Sequence, residues 1–352
     1  LVLCDMSEKI KRKNTHLIGM DLNQLEDFSE EFGQSRFRGR QLFNYIYRQK
    51  TDSFKNMNTL PSVFRNTLLE KYNLHPLSYI KKTGTNSEST QKYLFQLKTG
   101  EKIESVLMYD GKRVTLCVST QVGCAVDCKF CATAKMGFIK NLTSGEIVDQ
   151  YLAISNSIDE YITNIVFMGM GEPFLNYKEV IHAANLFNHK DGINIGAQRI
   201  TISTVGIISK IKQYSEEGHK YKLAISLNGN NQKQRVDIMP ISKTHTISDL
   251  IKSVWYYYKK TKRLATLEYV LMENINDSIA DANRLITLIG DLPCKVNVIP
   301  YNEIEGPFKR PSEKKIKEFV DQINNGNFIV TVRWSKGTDI NSGCGQLAVL
   351  ES

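Results

Sequence analysis

The stretch Cys117-Val-Ser-Thr-Gln-Val-Gly-Cys124-Ala-Val-Asp-Cys128-Lys-Phe-Cys131-Ala-Thr-Ala-Lys-Met-Gly137 contains four of the seven cysteines of the chain. The last three follow the spacing C-x3-C-x2-C, which brings three soft thiolates onto one short loop. Such ligands suit an iron–sulfur cluster and leave one iron without a protein ligand. A structural zinc site would need a fourth Cys or His at comparable spacing, and no histidine lies nearby. The pattern therefore favours the cluster over zinc.

The chain of 352 residues is long enough for one large catalytic domain and a small accessory one. Its formal charge of +9 favours a polyanionic partner such as RNA, although a merely basic soluble protein is also compatible. No apolar run approaches the length of a bilayer span, so no membrane contact is predicted. The odd, unevenly spaced cysteines and the lack of a recognisable signal peptide predict a cytoplasmic protein with reduced thiols.

The N-terminal part divides into a polar, basic leader over residues 1–17 and a helical accessory domain over 18–75. In the second segment the apolar residues recur at helical spacing. Arginines interleaved with aromatic residues suit contacts to phosphates and stacking on bases, while an ordinary solvated helix face explains them equally well. These arginines are Arg36, Arg38, Arg40 and Arg48.

The rest of the chain reads as a β-hairpin extension over 85–110 and a catalytic domain over 111–352. Strand-like runs alternate with amphipathic, helix-like stretches in the second segment, which predicts parallel strands in an open sheet or a full or partial α/β barrel. In such barrels the chemistry gathers at the carboxyl ends of the strands. The predicted strands are 114–118, 162–167, 199–203, 223–227, 264–271, 296–299 and 328–333, and the helices lie near 144–156, 177–188, 206–216, 246–260, 277–290 and 313–323.

Small and polar residues follow several predicted strands. Met168-Gly-Met-Gly-Glu-Pro173 would let a ligand approach the backbone, and Glu172 could accept the amino group of a bound methionine. Taken singly, the Ser and Asn positions after the other strands fit helix caps or turns as well. Cys344, flanked by glycines, is predicted to be an accessible thiol on a mobile loop, whereas Cys117 reads as a buried core residue.

Five ordered motifs closely resemble the radical S-adenosylmethionine (radical-SAM) methyltransferases that modify C2 of adenosine in 23S ribosomal RNA and in tRNA. The resemblance implies a partial (β/α) barrel of the radical-SAM type with a small N-terminal helical domain, to which Phe37-Arg-Gly-Arg-Gln-Leu-Phe43 is similar. The motifs are Cys117-Val-Ser-Thr-Gln-Val-Gly-Cys124, Met168-Gly-Met-Gly-Glu-Pro173, Ile202-Ser-Thr-Val-Gly206, Met239-Pro-Ile241 and Cys344-Gly-Gln-Leu347.

The resemblance also implies site residues. Cys124, Cys128 and Cys131 would hold a [4Fe–4S] cluster, with S-adenosylmethionine (SAM) on its open iron. Cys344 would match the cysteine that the family methylates. The SAM site would be lined by Gly171, Glu172, Pro173, Ser203, Ser226, Leu227, Asn228 and Asn302.

Two further residues gain roles only from this resemblance. Cys117 would be the resolving cysteine, and Glu104 the proton acceptor. The family's usual His is Asn228 here, and its usual Asp-Ala-Ala before the last cysteine is Asn341-Ser-Gly343. These departures put the contact at residue 228 and the mobility of the Cys344 loop in question.

The implied reaction uses two SAM molecules per turnover, because adenine C2 is electron-poor and cannot attack SAM directly. One SAM would methylate Cys344, and a 5′-deoxyadenosyl radical from the second would abstract hydrogen from that methyl group. The carbon radical would add to C2, and Glu104 and Cys117 would resolve the adduct, leaving a disulfide. An external donor such as flavodoxin or ferredoxin would supply electrons, and we expect a monomer.

Two alternative functions stand beside this one: a related methyltransferase and a non-catalytic protein. A sister family methylates C8 of the same ribosomal adenosine and shares the cluster and both working cysteines. Pro173 and Val122 stand here where that family typically has Ala and Cys, which favours C2. A non-catalytic iron–sulfur electron carrier or RNA-binding module would have no use for Cys344 and would normally ligate every iron.

Overall fold

The computed structural model describes residues 16–84, 90–337 and 340–349. Most of the expected leader, residues 1–15, and Cys4 with it, lies outside these ranges. The described chain forms a helical N-terminal region followed by a large mixed sheet with helices between its parallel strands. None of the described helices is long and apolar enough to cross a membrane.

Three α-helices form the N-terminal region, as the helical spacing predicts. Asp21 begins the first with a reciprocal capping box, in which its side chain accepts from the Gln24 N–H and the Gln24 side chain accepts from the Asp21 N–H. Leu25 and Phe28 of that helix are buried. The helices are α1 (Leu22–Glu31), α2 (Arg36–Phe43, continued by a π-turn over Asn44–Arg48) and α3 (Ser62–Lys71).

Two of the four arginines singled out in the sequence are held in ion pairs. The guanidinium of Arg36 contacts the carboxylates of Glu26, Asp27 and Glu30, and Arg40 Nε lies 2.6 Å from Glu26 Oε1. Glu26 itself is 6% exposed, so the two arginines supply the countercharges of a buried carboxylate. This geometry favours the structural explanation of Arg36 and Arg40 over a role in RNA contact.

The main sheet has ten strands in the order β1-β2-β3-β4-β7-β8-β9-β10-β11-β12. The pairs from β1 to β4 are antiparallel, and those from β4 to β12 are parallel. Within the described chain β1 and β12 are the two edges, so the barrel is partial, as predicted. These strands are β1 (Leu77–Thr83), β2 (Thr90–Leu97), β3 (Lys102–Asp110), β4 (Arg113–Cys117), β7 (Asn164–Phe167), β8 (Ile200–Thr204), β9 (Lys222–Ser226), β10 (Ala265–Leu271), β11 (Cys294–Pro300) and β12 (Ile329–Val332).

Helices connect the parallel strands on the outside of the sheet, and all six of the predicted stretches are confirmed. The stretch predicted from 206 begins two residues later, because Gly206 has φ +106° and cannot belong to the helix. A short helix at 232–238 was not predicted. The helices are α4 (Ala132–Lys135), α5 (Ser144–Ser155), α6 (Tyr177–Asn188), α7 (Ile208–Glu216), α8 (Gln232–Ile238), α9 (Ile247–Thr261), α10 (Ile279–Ile289) and α11 (Glu313–Ile323).

The predicted hairpin is present as β2 and β3, but it belongs to a four-stranded antiparallel meander that joins the parallel sheet through β4. The first strand of the meander, β1, was missed because its central residues are exposed and show no apolar alternation.

A second, two-stranded sheet supports the cysteine loop. It pairs β5 (Gln121–Gly123) with β6 (Phe138–Asn141) on either side of the loop. Gly123 has φ +70°, and a Cβ there would lie 1.8 Å from the carbonyl oxygen of Gly137, so only glycine fits. The hairpin therefore closes the loop that carries the three clustered cysteines.

Candidate active site

The cysteine loop and the carboxyl ends of the parallel strands enclose a single cleft of about 1030 Å³ that is partly open to solvent. Most of the residues that the sequence nominated line it, although they come from segments more than 200 residues apart. The nominated residues in its wall are Cys124, Cys128, Cys131, Gly171, Glu172, Pro173, Ser203, Ser226, Asn228, Asn302 and Cys344.

Three nominated residues do not line the cleft. Leu227 is completely buried behind it, where its N–H donates to the carbonyl of Glu268 at 2.9 Å. Cys117, at the end of β4, is 7% exposed, and Glu104, on the neighbouring strand β3, is 5% exposed. In this geometry, therefore, the Leu227 side chain makes no direct contact with a ligand in the cleft.

The three clustered cysteines sit on a compact loop. The Cys124 N–H donates to the Gly137 carbonyl at 2.8 Å, and the Cys131 N–H donates to the Cys128 carbonyl at 3.1 Å. Burial raises the pKa of Cys124 to about 12, and burial together with the two neighbouring thiols raises the pKa of Cys128. Deprotonating these thiols here therefore calls for a compensating positive charge, which iron supplies.

A cluster fits the loop better than a single ion. In the described ranges no group of three or more Cys, His, Asp or Glu side chains is placed to hold one metal ion, whereas each cysteine of a cluster binds a different iron. The same cleft also contains a buried polar atom, Asn302 Oδ1, that has no hydrogen-bond partner among the described residues. A polar ligand such as SAM would satisfy it.

Glu172 follows β7 in the wall of the cleft and is 2% exposed. Its two oxygens accept from the N–H groups of Phe174 at 2.9 Å and Val205 at 2.8 Å. Burial raises its pKa to about 7. Gly171 before it has φ +99°, and a Cβ there would lie 2.5 Å from Gln121 Cβ. The Thr204 side chain donates a third hydrogen bond, which leaves one of the four lone pairs of the carboxylate for an ammonium group.

Asn228 is engaged mainly by the protein. Its Oδ1 accepts from the Val270 N–H at 2.9 Å, and its Nδ2 donates to Met239 Sδ at 3.4 Å. Its φ of +53° lies in the left-handed region, which Asn tolerates better than most residues. Asn228, at the position of the family's usual His, therefore lies in the cleft wall, and its polar atoms bind neighbouring segments of the protein.

Cys344 is exposed, as predicted for an accessible thiol. Its loop is attached to the cysteine loop, since Ala132 N–H donates to the Gly345 carbonyl at 2.7 Å and Thr133 Oγ1 donates to the Leu347 carbonyl at 2.5 Å. Gly343 has no room for a side chain, because a Cβ would lie 2.8 Å from Asn302 Cγ. These contacts attach the loop beside the three clustered cysteines; its mobility stays a prediction.

Cys117 and Cys344 lie near one another, and both are free thiols. Burial, followed by the nearby Cys344, raises the pKa of Cys117 to about 12. The pKa of Cys344 is also raised, because the protein around its sulfur hinders solvation of a thiolate even though the residue reaches solvent. Arg333 opposes both shifts with its positive charge. Its Nη1 donates to Met168 Sδ at 3.3 Å, and Met168 lines the cleft.

Arg333 and Glu268 were not nominated from the sequence. Arg333 directly follows the carboxyl end of β12, which was the signal available, whereas Glu268 lies in the middle of β10. Glu268 lines the cleft, accepts from Asn297 Nδ2 at 2.8 Å, and has a pKa raised by burial.

Glu104 connects the antiparallel strands to the Cys344 loop. Its Oε2 accepts from the Ala348 N–H at 3.1 Å, and Lys92 Nζ lies 2.9 Å from its Oε1. Burial raises its pKa, and the hydrogen bond and charge of Lys92 oppose this shift. Lys92 was also missed, although a diagonal opposite-charge pair across a hairpin is a recognised pattern.

Comparison with known proteins places these features in one family. Residues 118–286 match the radical SAM superfamily, and residues 15–74 match the ribosomal RNA large subunit methyltransferase N-terminal domain. A probable dual-specificity RNA methyltransferase RlmN from Syntrophomonas wolfei is 40% identical over 94% of this chain and 96% of its own. One of the same name from Dictyoglomus turgidum is 40% identical over 95% and 97%.

A solved structure agrees with these relatives. The crystal structure of a radical SAM methyltransferase from Sphaerobacter thermophilus superposes with a TM-score of 0.91 at 40% identity, covering 94% of this chain and 98% of that one. The expectation of a radical-SAM α/β fold with an N-terminal helical region is confirmed. The chain belongs to the radical SAM family of dual-specificity RNA methyltransferases.

Proposed function

We propose that this protein methylates C2 of an adenosine in 23S ribosomal RNA and in tRNA through a methylated cysteine. The observation that carries the proposal is the accessible Cys344 thiol in the same cleft as the three clustered cysteines. The relatives and the solved neighbour support the methyltransferase chemistry by their names.

Cys124, Cys128 and Cys131 would hold a [4Fe–4S] cluster, and the remaining wall of the cleft would hold SAM. When bound, these groups would supply the methyl group, an electron and the radical that abstracts hydrogen. Glu172 would accept the amino group of SAM, and Asn302 Oδ1 would receive a hydrogen bond. Gly171, Pro173, Ser203, Ser226 and Asn228 would shape the wall, with Leu227 behind it.

Cys344 would receive the methyl group on sulfur and then be joined through that carbon to C2 of the RNA base. Glu104, whose pKa is raised by burial, would take the C2 proton as general base. Cys117 would attack the Cys344 sulfur and its proton would pass to the released methyl group, which frees the methylated base and forms a Cys117–Cys344 disulfide. The one unpaired electron of the radical adduct would leave to an acceptor, a role that the bound cluster would supply.

We also propose an electron donor and a cellular location for the protein. The disulfide requires an external reductant, and the same electron supply would serve the cluster; flavodoxin or ferredoxin fits. We propose that the protein acts as a monomer in the cytoplasm, where its RNA substrates and reduced thiols are found.

The test is product analysis. Protein reconstituted anaerobically and given SAM, reductant and a 23S rRNA fragment should yield 2-methyladenosine, and Cys344→Ala should yield none because no sulfur accepts the methyl group. Formation of 8-methyladenosine would overturn the C2 assignment in favour of the sister chemistry. Full activity of Cys344→Ala would overturn the route through the methylated cysteine.

A further inference from the structure

Trp334 is a large aromatic side chain that is 49% exposed and lies two residues beyond the end of β12. The guanidinium carbon of Arg310 lies 5.4 Å from the centre of its ring. Because burial of an indole is strongly favourable, an exposed one that is already paired with a cation marks a surface for contact with another molecule.

This pair lies at the same edge of the sheet as the cleft. β11 and β12 are parallel, with Val298 opposite Val332, so their carboxyl ends share one edge of the sheet. Asn302, two residues beyond β11, lines the cleft. Arg333, next to Trp334, contacts Met168 of the cleft wall.

Two lysines and one glutamate, Glu313, lie in a groove next to Trp334. The groove, between the first turns of α11 and the end of β12, is lined in part by Lys314, Lys317 and Trp334. Among the described residues neither Arg310 nor Lys317 makes a salt bridge, and Lys314 is 86% exposed and 4.0 Å from its one carboxylate partner, Glu318. These cations remain available for phosphates.

We propose that Trp334 and Arg310 form a platform on which an unpaired base of the RNA substrate stacks, with Lys314 and Lys317 contacting adjacent phosphates. The proposal rests on the proposed function for the identity of the substrate. A base that reacts inside an enclosed cleft must leave its stack, so its neighbours lose stacking partners that an aromatic side chain can replace. Stacking on an indole and a guanidinium tolerates any base, because every base has a π-face.

The first experiment measures binding without methylation. The chain has two tryptophans, so Trp255→Phe leaves Trp334 as the single reporter, and a 23S rRNA fragment carrying the target adenosine should quench its fluorescence. In otherwise unchanged protein, Trp334→Ala should weaken the affinity for this fragment about tenfold. Trp334→Phe, which keeps an aromatic face, should retain most of it.

The matched control is Trp255→Ala. Trp255 lies on α9 with Lys259 Nζ 5.7 Å from its ring, a comparable cation–aromatic pair away from the cleft. We expect its affinity for the RNA fragment to remain within about twofold of wild type. Equal unfolding midpoints would show that both variants are folded.

The second experiment separates the platform from the reaction. Trp334→Ala should raise the KM for RNA and leave kcat for 2-methyladenosine formation unchanged. Unchanged affinity and KM would overturn the platform, while product from wild-type protein would still support the function. Quenching of Trp334 by RNA without any methylated product would leave the platform standing and overturn the function. A fluorescence change that follows protein concentration in the absence of RNA would indicate contact between two copies and overturn the platform.

Discussion

Arg235 is completely buried, and in the described chain its guanidinium contacts carbonyl and hydroxyl oxygens and no carboxylate. Its Nη2 donates to the Val205 carbonyl at 2.6 Å, and its Nε donates to the Leu227 carbonyl at 3.1 Å. These carbonyls follow β8 and β9, so one side chain joins two strand ends that form the cleft wall. Burial lowers its pKa to about 10, which still leaves it charged at neutral pH.

We expect Arg235→Met to lower the free energy of unfolding by about 3 kcal/mol, because several buried oxygens lose their donor together. Urea unfolding under anaerobic conditions measures the change. Lys233→Met, an exposed position on the same helix, is the control and should stay within about 0.5 kcal/mol of wild type. Equal stability of the two variants would show that Arg235 does not join the strand ends energetically.

Cys117 is distinguished from other buried strand cysteines by its closeness to Cys344. Cys117→Ala should therefore accumulate a covalent protein–RNA adduct, because no second thiol attacks the Cys344 sulfur. Denaturing electrophoresis of reactions with labelled RNA detects the adduct. Cys294→Ala, at a 2% exposed position on β11, is the matched control and should turn over without it. Normal turnover of Cys117→Ala would remove its resolving role.

At the scale of elements, one buried pair joins the segment after α3 to the barrel. His75 Nδ1 lies 2.6 Å from Asp149 Oδ1 on α5, and the Leu77 N–H donates to Asp149 Oδ2 at 3.0 Å. Burial lowers the pKa of His75, but the hydrogen bond and charge of Asp149, with Asp52 nearby, outweigh it and leave the pKa above its usual 6.5.

This raised pKa has a defined consequence for stability. The folded state binds the proton more tightly, so the stabilisation is full below pH 6.5 and is lost as pH rises through the folded pKa. We expect the stability of wild type relative to His75→Gln to fall across this range. Urea unfolding of both proteins between about pH 5.5 and 8.5 measures this difference. A constant difference across the range would contradict the ionised pair.

The sequence predicted elements with internal periodicity and missed those that depend on distant partners. Most of the parallel strands were recognisable because they are short, largely buried apolar runs, whereas β12 alternates exposed and half-buried residues. The edge strand β1 has no such run, and the roles of Arg36 and Arg40 depend on Glu26 of another helix. Most cleft residues were found because the carboxyl ends of the strands share one edge. Glu104 and Cys117 gained roles only from the family resemblance. No local sequence pattern reveals which residues these two side chains face.

At the scale of the whole molecule, the C-terminal segment crosses from β12 to the antiparallel strands and passes over the cleft. Lys336 Nζ lies 2.9 Å from Asp110 Oδ1 at the end of β3, and the Ala348 N–H donates to Glu104. Gln346 Nε2 donates to the Glu303 carbonyl at 2.9 Å. The open sheet is thus bridged by the segment that carries Cys344, and one hydrogen bond to Ala348 connects Glu104, the proposed base, to this segment.

Two substitutions at Glu104 separate its structural and chemical roles. Glu104→Gln keeps an oxygen that can accept from the Ala348 N–H, but this side chain cannot take a proton. It should show nearly normal hydrogen-exchange protection of the Ala348 amide, with resolution of the RNA adduct slowed at least 100-fold. Glu104→Ala should lose both the protection and the turnover. If Glu104→Gln instead turns over at the wild-type rate while Glu104→Ala loses protection, Glu104 anchors the C-terminal segment and another group removes the C2 proton.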